Sequence, residues 1–385
     1  MKVALSTIGT FHTFDLAREL HARGSLATIF TGYPRFKLQR EALPADMIKT
    51  FPWVHGPYMA VKHKERLGKK FVQAWEHVDS ILFDKYVARR LPPCDVFVGL
   101  SNSALWSGQA ARRAGARYVC DRGSSHIQEQ DALLREEHER WGIPFAGIDP
   151  RTIEREMAEY EAADCITVPS TFNVRSFLRR GVRAGKVKRL SYGVNLTRFH
   201  PVATPQDGQF DVLFVGGLNV RKGVPYLLQA FQKLVHFRKT LTFAGSVSEE
   251  LIAILRARGM WPDDVRVLGH VPQDQLKALM SRSHVMVLPS IEEGLALVQA
   301  QALACGCPVI GTDHTGAEDL FEDGQQGYIV PIRDVDALAQ RMQQLADDPV
   351  LRAQMSARAV QRVQQTGGWH EYGAKASEIY QELIR

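Results

Sequence analysis

Cysteine is scarce in this chain. Its five residues, Cys94, Cys120, Cys165, Cys305 and Cys307, form an odd and scattered set, which excludes a paired disulfide framework. Cys305 and Cys307 lie close together but lack the second ligand pair that a structural zinc site requires, so all five read as reduced thiols. No stretch reaches the roughly 18 uninterrupted apolar residues of a spanning helix. The opening Met1-Lys2-Val3-Ala4-Leu5-Ser6 has neither the apolar core nor the cleavage site of a secretory signal, and a cytoplasmic protein is expected. Repeats, low-complexity tracts and heptads are missing. So are zinc-finger spacing, a helix-turn-helix cue and an aromatic RNA-binding signature, and no nucleic-acid partner is expected. The chain has no Walker loop and no dinucleotide G-x-G-x-x-G, which sets aside a P-loop NTPase and an ordinary NAD enzyme. With no Asp-x-Asp motif beside the strands expected to line a cleft, no cofactor and no metal are expected.

The chain has 385 residues, 45% apolar and 23% charged, a composition that buries sizeable cores and implies two or three domains. A formal charge of +6 favours anionic partners: nucleic acid, phosphorylated ligands or acidic lipid headgroups. Short β-branched runs alternate with helical stretches: Val3 to Ser6, Ala27 to Thr31, Val96 to Leu100, Tyr118 to Cys120 and Ile166 to Val168. The alternation restarts at Val212 to Val215 and continues through Leu241 to Ala244, Val265 to Leu268, Val285 to Leu288, Pro308 to Gly311 and Tyr328 to Val330. Between the two series lies Pro201-Val202-Ala203-Thr204-Pro205-Gln206-Asp207-Gly208-Gln209, with the composition of a linker. The reading is α/β: two doubly wound units, residues 1–200 and 201–368, each binding ligands beyond the carboxyl ends of its strands. The tail from Asp336 has helical spacing and should form at least two helices over the outside of a sheet.

The segments just after strands are therefore where ligand-binding motifs belong. The run Val285 to Leu288, then Pro289-Ser290-Ile291-Glu292-Glu293-Gly294-Leu295-Ala296-Leu297-Val298-Gln299-Ala300-Gln301, reads as strand, acidic loop and helix. Free amides from Gly294, Leu295, Ala296, Leu297 and Val298 at a helix start suit a diphosphate. Glu293 suits sugar hydroxyls, because a carboxylate is a pure acceptor; the alternative is an acid that complements the helix dipole. A second glycine turn, Gly216-Gly217-Leu218-Asn219-Val220-Arg221-Lys222-Gly223, offers two cations for phosphate, or is a plain solvated loop. After the first strand, Gly9, Thr10 and His12 lead into a helix read as Phe14 to Arg23, where Gly9 lets the chain pass close to a ligand; His12 is equally a capping or surface residue. In Cys120-Asp121-Arg122-Gly123-Ser124-Ser125-His126, polar residues crowd another strand end, and His126 is the candidate functional histidine, against a structural role. The stretch Lys62 to Trp75 mixes basic and aromatic residues as a membrane-surface segment does, or as a solvated helix face does.

These residues resemble the family-4 retaining glycosyltransferases of the GT-B fold, along nearly the whole chain. The family's Glu-Gly-Phe-Gly-Leu, second Glu eight positions on, and Ala-Cys-Gly-x-Pro-Val correspond to Glu293 onward, with Gln301 in the second acidic position. Tyr192 to Pro201, Ala163 to Ser170, Gly311 to Leu320 and Asp323 to Val330 follow the family order. The resemblance implies two Rossmann-like domains facing each other across a cleft, with the terminal helix, residues 369–385, crossing back onto the first. It implies retaining transfer from a nucleotide-diphosphate sugar, UDP- or GDP-linked, to a hydroxyl of a glycan or lipid-linked acceptor, in cell-surface polysaccharide or glycoconjugate synthesis, with an anionic membrane as a further partner. It assigns Glu293 and His126 to catalysis, and Gly216, Gly217, Arg221, Lys222, Gly294 to Val298 and Gln301 to the donor. Two departures stand out: Gly217 replaces the family's Arg, and Gln301 its second Glu. An epimerase of the same fold and a non-catalytic sugar-nucleotide- or glycan-binding homologue remain the alternatives.

Overall fold

A computed structural model of the protein describes residues 1–61 and 64–385. Among these residues seven strands build one parallel sheet: β1 (Val3–Thr7), β2 (Leu26–Thr31), β3 (Ile48–Thr50), β4 (Val96–Leu100), β5 (Arg117–Asp121), β6 (Cys165–Val168) and β7 (Val187–Arg189). They lie in the order β3-β2-β1-β4-β5-β6-β7. Six more, β8 (Phe210–Val215), β9 (Lys239–Ala244), β10 (Val265–Val267), β11 (Val285–Leu288), β12 (Val309–Thr312) and β13 (Gly327–Val330), form a second parallel sheet in the order β10-β9-β8-β11-β12-β13. Helices cover both faces, so the central strands are buried throughout and are written as unbroken apolar runs rather than alternating ones; Val285, Met286, Val287 and Leu288 are all fully enclosed.

The two strands that the sequence reading missed are edge strands. Ile48-Lys49-Thr50 and Val187-Lys188-Arg189 each bury a single residue fully, so neither carries an apolar run to detect. Two helix starts also differ. The first helix spans Phe11–Ala22, and Phe11 adopts φ 34°, a left-handed conformation costly for a bulky side chain. The acidic loop runs further than expected: its helix spans Leu297–Ala304 with Ala296 as cap, so Gly294 and Leu295 are loop.

The tail forms the helices Val335–Asp347, Pro349–Thr366 and Trp369–Ile384. Leu338, Met342, Leu345 and Met355 join the core of the second sheet. The last helix instead buries Tyr372, Ala376, Ile379 and Tyr380 in the core of the first sheet, beside Phe14, Leu16 and Leu20. A large apolar side chain fully buried is worth about 1.5–3 kcal/mol, so Tyr372, Ile379 and Tyr380 together fix the chain's return. No helix among the described residues is long and apolar enough to cross a membrane.

Candidate functional site

In open parallel sheets, ligands bind beyond the carboxyl ends of the strands where the order reverses. The reversals fall between β1 and β4 in one sheet and between β8 and β11 in the other. Loops that follow strands of the two sheets meet. A Cβ at Gly294, after β11, would lie 1.9 Å from the carbonyl oxygen of Gly123, after β5, so only glycine permits this approach.

On the second-sheet side, Lys222 Nζ lies 2.5 Å from Glu293 Oε1 and Arg221 Nη1 lies 3.3 Å from it. The Arg221 guanidinium also donates to the Glu292 carbonyl at 2.9 Å, and the Arg221 carbonyl accepts from the Ile291 amide at 2.8 Å. The glycine turn after β8 and the acidic loop after β11 are thereby tied into one surface of two cations and a carboxylate. Gly216 and Gly217 form the turn itself. A Cβ at Gly217 would sit 2.9 Å from Ser246 Oγ and 3.2 Å from Asn219 Nδ2, so these two side chains crowd the position. The Ala296 amide is used by the Thr315 carbonyl at 3.3 Å, and Leu295 and Ala296 are buried, which removes part of the expected row of free amides. Val298 packs against the core, and Gln301 is half-buried on the same helix.

On the first-sheet side, a cavity of about 600 Å³ is lined by Phe11, His12, Ser101, Asn102, Arg122, Ser124, Tyr192 and, from the other side of the cleft, Leu297, among others. His12 Nε2 is 2.6 Å from Asp121 Oδ2, and Thr167 Oγ1 donates to Asp121 Oδ1 at 2.8 Å. A carboxylate only accepts, so His12 Nε2 is the donor in this contact. The His12 ring stacks near Tyr192, centroids 4.3 Å apart. Of its loop neighbours, Gly9 accepts from Thr31 Oγ1 at 2.9 Å, and Thr10 precedes the helix without a side-chain cap.

His126 requires a correction. It is fully buried, and its Nδ1 accepts from the Gln128 amide at 3.3 Å, capping the helix Ile127–Trp141. Its ring lies 5.1 Å from Tyr160 and 4.9 Å from Phe177. Burial, with Arg180 and Arg122 nearby, lowers its pKa to about 4. It is absent from the lining of the cleft cavity; the polar residues that reach the cleft are those just before it. The sequence had marked that polar run, but which of its residues turn inward depends on the helix cap.

Glu292 was not singled out from the sequence. Its carboxylate is fully buried and accepts from Ser124 Oγ at 2.6 Å, Ser125 N at 3.1 Å, Ser125 Oγ at 2.8 Å and Gln130 Nε2 at 3.0 Å. Burial would raise its pKa, but Arg221 and these hydrogen bonds hold it below the ordinary value. Further pairs span the cleft: Asn173 Nδ2 to the Glu293 carbonyl at 3.1 Å, Thr171 to Asp319, and Arg333 to Glu137 at 2.8 Å. Among the described residues no three potential metal ligands converge.

Two family descriptions match almost the whole chain between them. Residues 10–193 match the glycosyl transferase 4-like domain and residues 197–362 match glycosyl transferases group 1. The D-inositol 3-phosphate glycosyltransferase of Streptomyces avermitilis is 28% identical over 63% of this chain and 61% of its own length. The glycogen synthase of Mycobacterium tuberculosis is 28% identical over 57% and 54%. The chain thus spans about three-fifths or less of these curated relatives. Among solved structures, sucrose-phosphate synthase from Thermosynechococcus elongatus covers 100% of this chain and 99% of its own at TM-score 0.74 and 21% identity. Anabaena HepE in complex with UDP and glucose covers 99% and 100% at TM-score 0.70 and 16% identity. With the sheet order, the facing cleft and both family matches in agreement, the chain belongs to the family-4 glycosyltransferases of the GT-B fold.

Proposed function

We propose that the protein is a retaining glycosyltransferase moving a sugar from a UDP- or GDP-linked donor to a hydroxyl of a glycan or lipid-linked acceptor. The observation that carries this reading is the Lys222–Glu293–Arg221 cluster standing across the cleft from the cavity lined by His12, which Asp121 holds. Residues 201–368 would hold the donor and residues 1–200 the acceptor. Lys222 and Arg221 neutralise the diphosphate, Arg221 replacing the cation that Gly217 lacks, and Glu293 accepts hydrogen bonds from the transferred sugar. The sugar–phosphate bond breaks while the acceptor oxygen bonds to the same face of the sugar carbon, and the leaving phosphate takes the acceptor's proton. Burial makes these charges count for more than they would in water, and fixed groups supply the neutralisation without a metal. The former role of His126 passes to His12, whose Nδ1 hydrogen-bonds and orients the incoming hydroxyl.

A second-substrate cavity of about 600 Å³ supports a transferase over an epimerase. The test incubates UDP-, GDP- and ADP-sugars with glycan and lipid acceptors in EDTA. Nucleotide release that requires an acceptor supports the reading; release with no acceptor, or only with added metal, contradicts it.

The reading also places the enzyme at an anionic membrane. Lys62 and His63 lie outside the described residues; Lys64, Lys69, Lys70, Phe71 and Trp75 of that stretch are described. Lys64 lies over the Tyr58 ring at 3.5 Å, Tyr58 meets Trp75, Trp75 meets Phe71, and Lys69 and Lys70 start the helix Lys69–Arg90. Phe71 is 55% exposed, and Trp53, in the helix Pro52–Ala60 that also carries Tyr58, 78%, costly for aromatics facing water and apt for a headgroup layer. Co-sedimentation with phosphatidylglycerol vesicles is expected, weakened about fivefold for each of Lys69→Glu and Lys70→Glu, at roughly 1 kcal/mol per lysine. Equal partition of wild type and double variant would refute it.

A further inference from the structure

Glu292 and Glu293 are consecutive carboxylates with opposite allegiances. Glu293 turns to Lys222 and Arg221 within its own half of the molecule. Glu292 turns away and spends its oxygens on Ser124, Ser125 and Gln130, all more than 160 residues distant in sequence and part of the loop and helix that follow β5. The ring of donors is neutral; Arg221 lies 3.7 Å from Oε2, and Arg122 also acts on the carboxylate. Arg221 reaches Glu293 as well. Neither half of the molecule alone satisfies this carboxylate, and a buried acceptor left without donors is costly.

Resting on the donor-site reading above, we propose that Glu292 is a positioning residue for glycosyl transfer: it registers the loop of Arg122, Gly123, Ser124 and Ser125, which borders the acceptor cavity, on the donor loop of Glu293 and Arg221. Ser124 both lines the cavity and donates to Glu292, so a shift at the carboxylate moves a wall of the acceptor site directly. Glu292 touches no reacting atom in this scheme. Its effect is to hold the acceptor hydroxyl at bonding distance from the sugar that Glu293 holds, and an error of about 1 Å in such placement costs about 100-fold in rate.

The test compares wild type, Glu292→Ala, Glu292→Gln and Ser125→Ala by hydrogen exchange, by calorimetric titration with UDP and with GDP, and by turnover. In Glu292→Ala the Ser125 amide, which now donates to Glu292, is expected to lose at least about tenfold in exchange protection. Turnover should fall about 100-fold, while nucleotide affinity stays within about threefold, the effect of a few tenths of a kcal/mol. Glu292→Gln keeps an acceptor oxygen for the serines and should recover part of the turnover; Ser125→Ala should follow Glu292→Ala with a smaller loss. If Glu292→Ala fails to fold, Gln130→Ala removes a single outer donor and carries the same comparison. Unchanged Ser125 protection overturns the proposal, as does a loss lying wholly in nucleotide affinity. Should the wild type bind neither nucleotide, the donor reading fails by itself, and the exchange experiment still decides whether Glu292 holds the two loops together.

Discussion

Lys222→Ala is expected to lower turnover about 100- to 1,000-fold, the usual cost of removing one fixed group that stabilises developing charge. Lys222 sits in the turn between β8 and the helix Val224–Lys233, its ammonium 2.5 Å from Glu293 and its side chain only 14% exposed. In the proposed reaction that ammonium is shared between the sugar-binding carboxylate and the leaving diphosphate, so its charge matters more in the transition state than in the free enzyme. The fold should survive, because Arg221 remains 3.3 Å from Glu293 and leaves that carboxylate with a cation. Glu293→Ala should lose transfer as well, through the sugar rather than the phosphate. The two variants are separated by titration with UDP and GDP: nucleotide affinity should fall in Lys222→Ala and hold in Glu293→Ala. Unchanged turnover in both folded variants would remove them from the site.

Gly294→Ala is expected to abolish closure, with a loss of about 100-fold or more in turnover, since displacement by about 1 Å is enough for that. The added Cβ would meet Gly123 O at 1.9 Å and Gly123 C at 2.7 Å, with Pro169 Cγ at 3.2 Å. The first two are backbone atoms, so no rotamer change relieves the clash. The loop of Gly123 carries the Ser124 and Ser125 contacts to Glu292, and separation of the loops breaks them too. Trp141 of the first half packs into the core of the second sheet, so separation of the halves would uncover it, and small-angle scattering should report a larger radius of gyration. Wild-type turnover and scattering in Gly294→Ala would show that the contact is not needed.

What the sequence disclosed follows from how local each feature is. Strands of four or more apolar residues, such as Val285 to Leu288, announce themselves because both faces are covered. Ile48-Lys49-Thr50 and Val187-Lys188-Arg189 do not, because in each a single apolar residue is followed by two polar ones. Glu293, Lys222 and Gly294 were legible as residue types at fixed distances after strands. Glu292 was not: its meaning lies in Ser124, Ser125 and Gln130, and no local pattern joins residues that far apart. His12 and His126 divide on the same ground. Both follow strands beside polar residues, yet His126 is drawn into the core as a helix cap, while Asp121, more than a hundred residues from His12 in the chain, holds His12 at the cleft. Gly217 reads as a lost cation, and the structure sets the Ser246 and Asn219 side chains beside it.

The central claim is that the Arg221, Lys222 and Glu293 surface binds a nucleotide diphosphate without a metal. Its most direct measurement is calorimetric titration of the wild-type protein and Lys222→Ala with UDP, GDP and ADP in the presence of EDTA. Saturable binding of UDP or GDP to the wild type, weakened about tenfold or more in Lys222→Ala by loss of a charge-assisted contact worth about 1.5–3 kcal/mol, is the predicted result. Binding of none of the three, or equal affinity in both proteins, would contradict it.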